Sequence, residues 1–195
     1  MRQSSIVNRK SSIEMNPWHD LDPGLNIEQG FLAVIEIPKG SKNKYEMDKK
    51  TGMLILDRVL YSAVHYPANY GFIPQTFCED GDPLDVLALA QEPVHPLCIV
   101  RCRAIGVMMM VDEKGEDDKI IAVQSDDPEF NHYTDISELP QHKLRELERF
   151  FLDYKILENK RVRVETPRGR PEAHRIIHSA LDLYRRSRPT LAGLK

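Results

Sequence analysis

Three aspartates fall close together in the stretch CEDGDPLDVLALA: Asp80, Asp82 and Asp85. Gly81 and Pro83 exclude a helix, so these carboxylates sit on a tight turn leading into the aliphatic run VLALA, where their side chains can converge. Like charges gathered in this way raise one another's pKa and cost stability unless a cation offsets them. Carboxylate oxygens suit hard cations such as Mg²⁺, Mn²⁺ or Ca²⁺, whereas softer metals want histidine or cysteine. A calcium loop counted from Asp80 fails, because its sixth position needs Gly and holds Asp85, and its twelfth needs Glu and holds Gln91.

A second acidic cluster, VDEKGEDDKII, holds Asp112 and Asp117 near the ends of two expected strands. Taken alone it reads as a solvated hairpin tip. A hairpin there would also bring both carboxylates to one rim, with Lys119 following Asp117 onto the same face. Glu36 in VIEIP shares a face with Leu32 and Val34, a costly position for a carboxylate unless it is paired or bound. On the next strand Lys44 and Glu46 share a face, and Arg58 follows Asp57; in isolation these read equally well as surface ion pairs. In HYPANYGFIP, Tyr66 and Tyr70 lie on a segment that Pro67, Gly71 and Pro74 keep out of a helix. It reads as a loop whose hydroxyls either donate to phosphate or simply pack. Tyr154 and Lys155 offer one more hydroxyl and one more ammonium. His174 and His178 are one helical turn apart, with no third ligand or HExxH glutamate, and read as structural or solvated.

The elements that must position these residues are short. FLAVIEIP (31–38) alternates and stops at Pro38, and residues 44–60 read as two strands joined by the turn DKKTG. Further strands fit DVLALA, CIVRCRAIGVMMMV and KIIAVQ, the last two joined by the acidic loop. The period then changes: Leu144, Leu147, Phe151, Tyr154 and Leu157 repeat at helical spacing, with Ser137 as the expected N-cap. A strand at RVRVE and a helix over PEAHRIIHSALDLYRRS close the chain. The fold class is α+β, a small β-barrel with flanking helices.

At 195 residues the chain can bury one sizeable core. Residues 1–14 read as a disordered N-terminal arm, without the apolar core of a secretory signal, and 15–195 as a single domain. Charges make up 29% of the chain with a net of −3, so there is no basic field to recruit nucleic acid or an anionic membrane. Its apolar runs fall far short of the ~20 residues that span a bilayer. Three cysteines, neither paired in number nor at zinc spacing, read as reduced thiols in the cytoplasm. Two other readings compete. A barrel carrying Arg101 and Arg103 resembles single-strand nucleic-acid binders, but its acidic loops oppose that; a non-catalytic divalent-ion binder is the other.

EDGDPLDV resembles the D-x-D-P-x-D signature of the family I soluble inorganic pyrophosphatases, of the bacterial type. VIEIP, KYEMDK, LDR, YPANYGFIP, RCRAIGV, DEKGEDDK and DYK resemble family segments in the same order, over about residues 28–160. The resemblance implies a five-stranded OB-like barrel that hydrolyses inorganic pyrophosphate with several Mg²⁺ ions. By motif, Asp80, Asp85 and Asp117 would hold one ion, with Asp85 reaching a second. Asp112 and Asp117 would hold a substrate-associated ion, and Glu46 would help a further one to enter. Lys44, Arg58, Tyr70, Lys119, Tyr154 and Lys155 match the family's phosphate-binding set, Asp82 matches its base, and Glu36 and Tyr66 belong to the same cavity. Bacterial members of this length are homohexamers, and the resemblance implies the same assembly here.

Overall fold

The computed structural model describes residues 15–24, 26–113 and 115–191; the expected arm, residues 1–14, lies outside them. A four-residue helix, α1 (Pro17–Asp20), precedes β1 (Phe31–Ile37), the hairpin of β2 (Asn43–Met47) and β3 (Leu54–Val59), then β4 (Asn69–Phe72), β5 (Asp85–Leu89) and the long β6 (Cys98–Met108). Short strands β7 (Met110–Asp112) and β8 (Gly115–Glu116) lead into β9 (Lys119–Gln124). Helix α2 (Gln141–Asp153), strands β10 (Arg163–Val164) and β11 (Arg168–Gly169), and helix α3 (Arg170–Leu191) follow.

Five strands close a barrel in the order β1–β4–β5–β9–β6 and back to β1, with β11 added along β6. The barrel pairings are antiparallel apart from β5 with β9, which run parallel with Asp85 opposite Lys119. The unbroken apolar run of β5 follows from burial on both faces. Val86 and Ala88 join one apolar cluster, against which α3 lays Ala173, Ile177 and Leu181. Leu87 and Leu89 join another, covered by Leu147, Phe150 and Phe151 of α2.

Three expectations fail for identifiable reasons. The segment HYPANYGFIP contains a barrel strand, β4, rather than only loop. A Cβ on Gly71 would lie 1.9 Å from the Val34 carbonyl oxygen, so this glycine permits a close strand approach where it reads as a breaker. Ser137 does not cap α2. It lies inside a separate one-turn 3₁₀ helix, Ile136–Glu138, capped by Asp135, which accepts from the Ser137 N–H at 3.1 Å and hydroxyl at 2.9 Å. Leu157 is 61% exposed, because α2 ends at Asp153 and the chain tightens into the 3₁₀ turn Ile156–Glu158, which rotates Leu157 off the apolar stripe. RVRVE contributes a two-residue strand, β10, paired with β7. The three cysteines are free thiols.

Candidate active site

Five parts of the chain converge on a cleft of about 360 Å³. Strand β1 supplies Glu36; β2 and its turn supply Lys44, Glu46 and Lys49. The turn before β5 supplies Asp80, Asp82 and Asp85, the β7–β9 segment Asp112, Asp117 and Lys119, and the end of α2 Tyr154 and Lys155.

Local geometry explains each placement. The backbone N–H of Asp82 donates to the Asp80 carboxylate at 3.1 Å, an Asx turn with Gly81 at φ +88°. Parallel register puts Lys119 beside Asp85, and the two-residue period puts Asp117 on the same side, so Lys119 pairs with both. The β7–β8 hairpin presents Asp112, whose carboxylate accepts from Lys155 at 2.8 Å. Lys155 itself is fixed by the end of α2, one residue past the C-cap Tyr154. Lys44 pairs with Glu46 and lies 3.2 Å from Asp57.

Glu36 meets the expected burial problem with a partner: its carboxylate accepts the Met47 N–H at 2.7 Å. Burial still pushes its pKa up to about 8, with the charge of Asp85 adding to the rise. Burial likewise pushes Asp85 up to about 6, with Asp117 adding to it and Lys119 opposing it. Burial opposes the charge on Lys119, but Asp85 and Asp117 outweigh it and hold its ammonium above the ordinary lysine range. Asp80 is raised, first by desolvation.

Three expected residues stand outside the lining. Tyr70 hydrogen-bonds Asp85 from behind, and Lys119 lies 5.9 Å from its ring centroid. Tyr66 packs behind Tyr70, with ring centroids 5.4 Å apart. Arg58 sits at the rim, where its Nε donates to Glu158 at 2.8 Å and its guanidinium also pairs with Asp57. Conversely, Lys49 lines the cleft and pairs with Asp82, and Glu158 holds Arg58. Neither was a sequence expectation, since no local pattern marks a residue whose partner lies far along the chain.

Seven carboxylates in this cleft face four ammonium groups, an excess of three negative charges when all are ionised. Among the described residues no three ligating side chains are already drawn around one point, because lysines stand between the acids. The donor set is nevertheless all carboxylate oxygen, the chemistry of hard divalent cations, and its surplus charge is of the kind such cations neutralise. Together with ammonium groups on the same walls, this is the chemistry that a metal-dependent site for a phosphorylated polyanion requires.

Comparison with known proteins gives the family. Residues 33–185 match the model of the inorganic pyrophosphatase family. The chain is 57% identical over 181 residues to the soluble inorganic pyrophosphatase PPA1 of Solanum tuberosum, covering 93% of this chain and 85% of that one. It is 56% identical over 169 residues to soluble inorganic pyrophosphatase 2 of Chlamydomonas reinhardtii, covering 87% and 88%. The inorganic pyrophosphatase of Thermus thermophilus superposes with a TM-score of 0.84 at 40% identity, covering 88% of this chain and 99% of that one. The chain belongs to the inorganic pyrophosphatase family, whose members are metal-dependent hydrolases.

Proposed function

We propose that this chain hydrolyses inorganic pyrophosphate to two orthophosphates with several Mg²⁺ ions, in the cleft between the β2–β3 hairpin and the acidic rim of the barrel. Family membership supports the reaction, and the cleft's surplus of carboxylates beside lysines carries the reading. Pyrophosphate is a polyanion that such a wall repels until divalent cations lie between them. Asp80, Asp85 and Asp117 would hold one cation, with Asp85 shared with a second; Asp112 and Asp117 would hold a substrate-associated cation, and Glu46 would assist a further one. Bound there, Mg²⁺ would supply neutralisation of the phosphate oxygens and a lowered pKa for the attacking water.

The chain's own side chains do the rest. Lys44, Lys119 and Lys155, with Arg58 from the rim, donate to phosphate oxygens, and Tyr70 and Tyr154 add hydroxyls. Asp82 takes or orients the proton of the attacking water; its half-exposed carboxylate suits a proton that must leave to solvent. Glu36 and Tyr66 back the cavity. Residues 15–195 act as one domain, in the cytoplasm, where released pyrophosphate would pull biosynthesis backward if it accumulated. No described helix is long and apolar enough to cross a membrane. The assembly is a homohexamer, which light scattering checks.

The deciding experiment measures phosphate release from pyrophosphate and from ATP, with Mg²⁺ and with excess EDTA. Release from pyrophosphate that EDTA abolishes is expected, with calcium as an inhibitor because its looser geometry misplaces the water. Full turnover in EDTA, or equal release from ATP, overturns the reading.

A further inference from the structure

The plug made by α1 and the residues flanking it lies outside the stretch matched by the family model. It nevertheless bears on the base and, through Lys49, the tip of the turn that carries Asp80, Asp82 and Asp85. At one end the Trp18 indole N–H donates to the Thr76 carbonyl at 2.8 Å, and the Thr76 hydroxyl accepts the Leu84 N–H at 2.9 Å. Toward the tip the plug acts through Lys49: the Asn16 carboxamide donates to the Lys49 carbonyl at 2.7 Å. The Lys49 ammonium lies 5.9 Å from the Trp18 ring centroid, donates to the Gly81 carbonyl at 2.8 Å and pairs with Asp82.

The plug is itself immobilised. Trp18 is 1% exposed, packs with Val34, Met47, Phe72 and Tyr184, and stacks on His19 at 4.5 Å between centroids. His19 Nδ1 and the Tyr184 hydroxyl are 2.8 Å apart, which ties α1 to α3. The tip of the metal-binding turn has no such packing: a Cβ built on Gly81 meets nothing within 4 Å. Polar ties therefore set where the tip stands. A plain surface ion pair between Lys49 and Asp82 would need no backbone anchor under the lysine and no second bond to Gly81.

We propose that Asn16, Trp18 and Lys49 form a positioning tether that holds Gly81 and Asp82 against the cleft, so that the N-terminal plug sets the placement of the residue read above as the base. The inference rests on that reading of Asp82. Lys49→Met keeps the apolar stem over the indole and removes the ammonium. At saturating Mg²⁺ and pyrophosphate, kcat is expected to fall about fivefold, the scale of a half-exposed ion pair, with KM changed less than twofold and Tm preserved. Lys49→Arg restores most of the rate, and Asn16→Ala shows a smaller loss in the same direction. In an Asp82→Asn background, Lys49→Met adds no further loss.

A readout independent of turnover comes from Trp18, the chain's one tryptophan. Magnesium chloride alone, titrated without substrate, should change Trp18 emission saturably in the unmodified chain, and the change should vanish in Lys49→Met. An identical emission change in both proteins, or none in either, overturns the tether, as does an undiminished Lys49→Met effect in the Asp82→Asn background. Full rate in Lys49→Met beside a slow Asp82→Asn also overturns it while the base assignment stands. Full rate in Asp82→Asn sinks the base assignment first, and with it any route from Lys49 to turnover.

Discussion

Asp82 and Asp85 share one turn, yet they are proposed to do different work and their surroundings differ. Asp85 is partly buried, its side chain 24% exposed beside Tyr70, Asp117 and Lys119, whereas the Asp82 side chain is 38% exposed and paired with Lys49. Asp82→Asn should therefore lower kcat by about a hundredfold to ten-thousandfold with little change in Mg²⁺ requirement. Asp85→Asn should raise the Mg²⁺ requirement as well, because it removes charge from the proposed shared ligand. Measuring kcat against Mg²⁺ for both separates the roles, and recovery of full rate at high Mg²⁺ in Asp82→Asn would make it a ligand instead. Glu36 gives a stability prediction. Its carboxyl titrates near pH 8 when folded and at the ordinary value of 4.5 when unfolded, so the native state binds the proton more tightly. The stabilisation is complete below pH 4.5 and is lost as pH rises through about 8. In excess chelator, Glu36→Gln should flatten the fall in urea midpoint between pH 5 and pH 9; an unchanged slope would show that Glu36 titrates normally. The acids were legible because motif and chemistry coincide in one short stretch. Lys49 and Glu158 were not, since the bond from Lys49 to Gly81 spans 32 residues and that from Arg58 to Glu158 spans 100.

Alternation and turn residues were enough to find β1, the β2–β3 hairpin, β5, β6 and β9, because each has one dominant apolar pattern bounded by breakers. Strand β4 escaped because Asn69–Phe72 is four residues long and half of its character is contact rather than composition. Gly71 is the clearest case. Gly71→Ala should separate β4 from β1, destabilising the fold by about 3 kcal/mol or more, because the added carbon meets backbone that cannot yield. Since Tyr70 supports Asp85 from the neighbouring position, the variant should also lose activity at temperatures where it remains folded. A wild-type urea midpoint would refute the close approach. Ahead of α2 the sequence offered a serine, but Ser137 is taken up in the 3₁₀ turn that Asp135 caps, and α2 begins behind Pro140 with no side-chain cap, which a search for the single best cap residue overlooks.

Strand order is the part of the molecule that no local pattern specifies. In sequence, β9 comes last of the five barrel strands; in space it stands between β5 and β6. The barrel therefore stays open until β9 inserts, and the same insertion brings Lys119 and Asp117 to Asp85, 34 residues back from Lys119. Closing the barrel and completing the proposed cation site are then one event. Such long-range pairing is slow to form, because loop closure precedes any contact that rewards it. Mg²⁺ then has nothing to grip in a chain still searching for that insertion. It should leave the refolding rate unchanged and slow unfolding, by about a hundredfold at an ion concentration one hundred times its Kd. Stopped-flow refolding and unfolding with and without Mg²⁺ would show this, and an ion that accelerated refolding would mean the acidic rim assembles before the barrel shuts. In the predicted order, magnesium acts as a latch on a closed door: it lengthens the life of the folded enzyme without helping to make it.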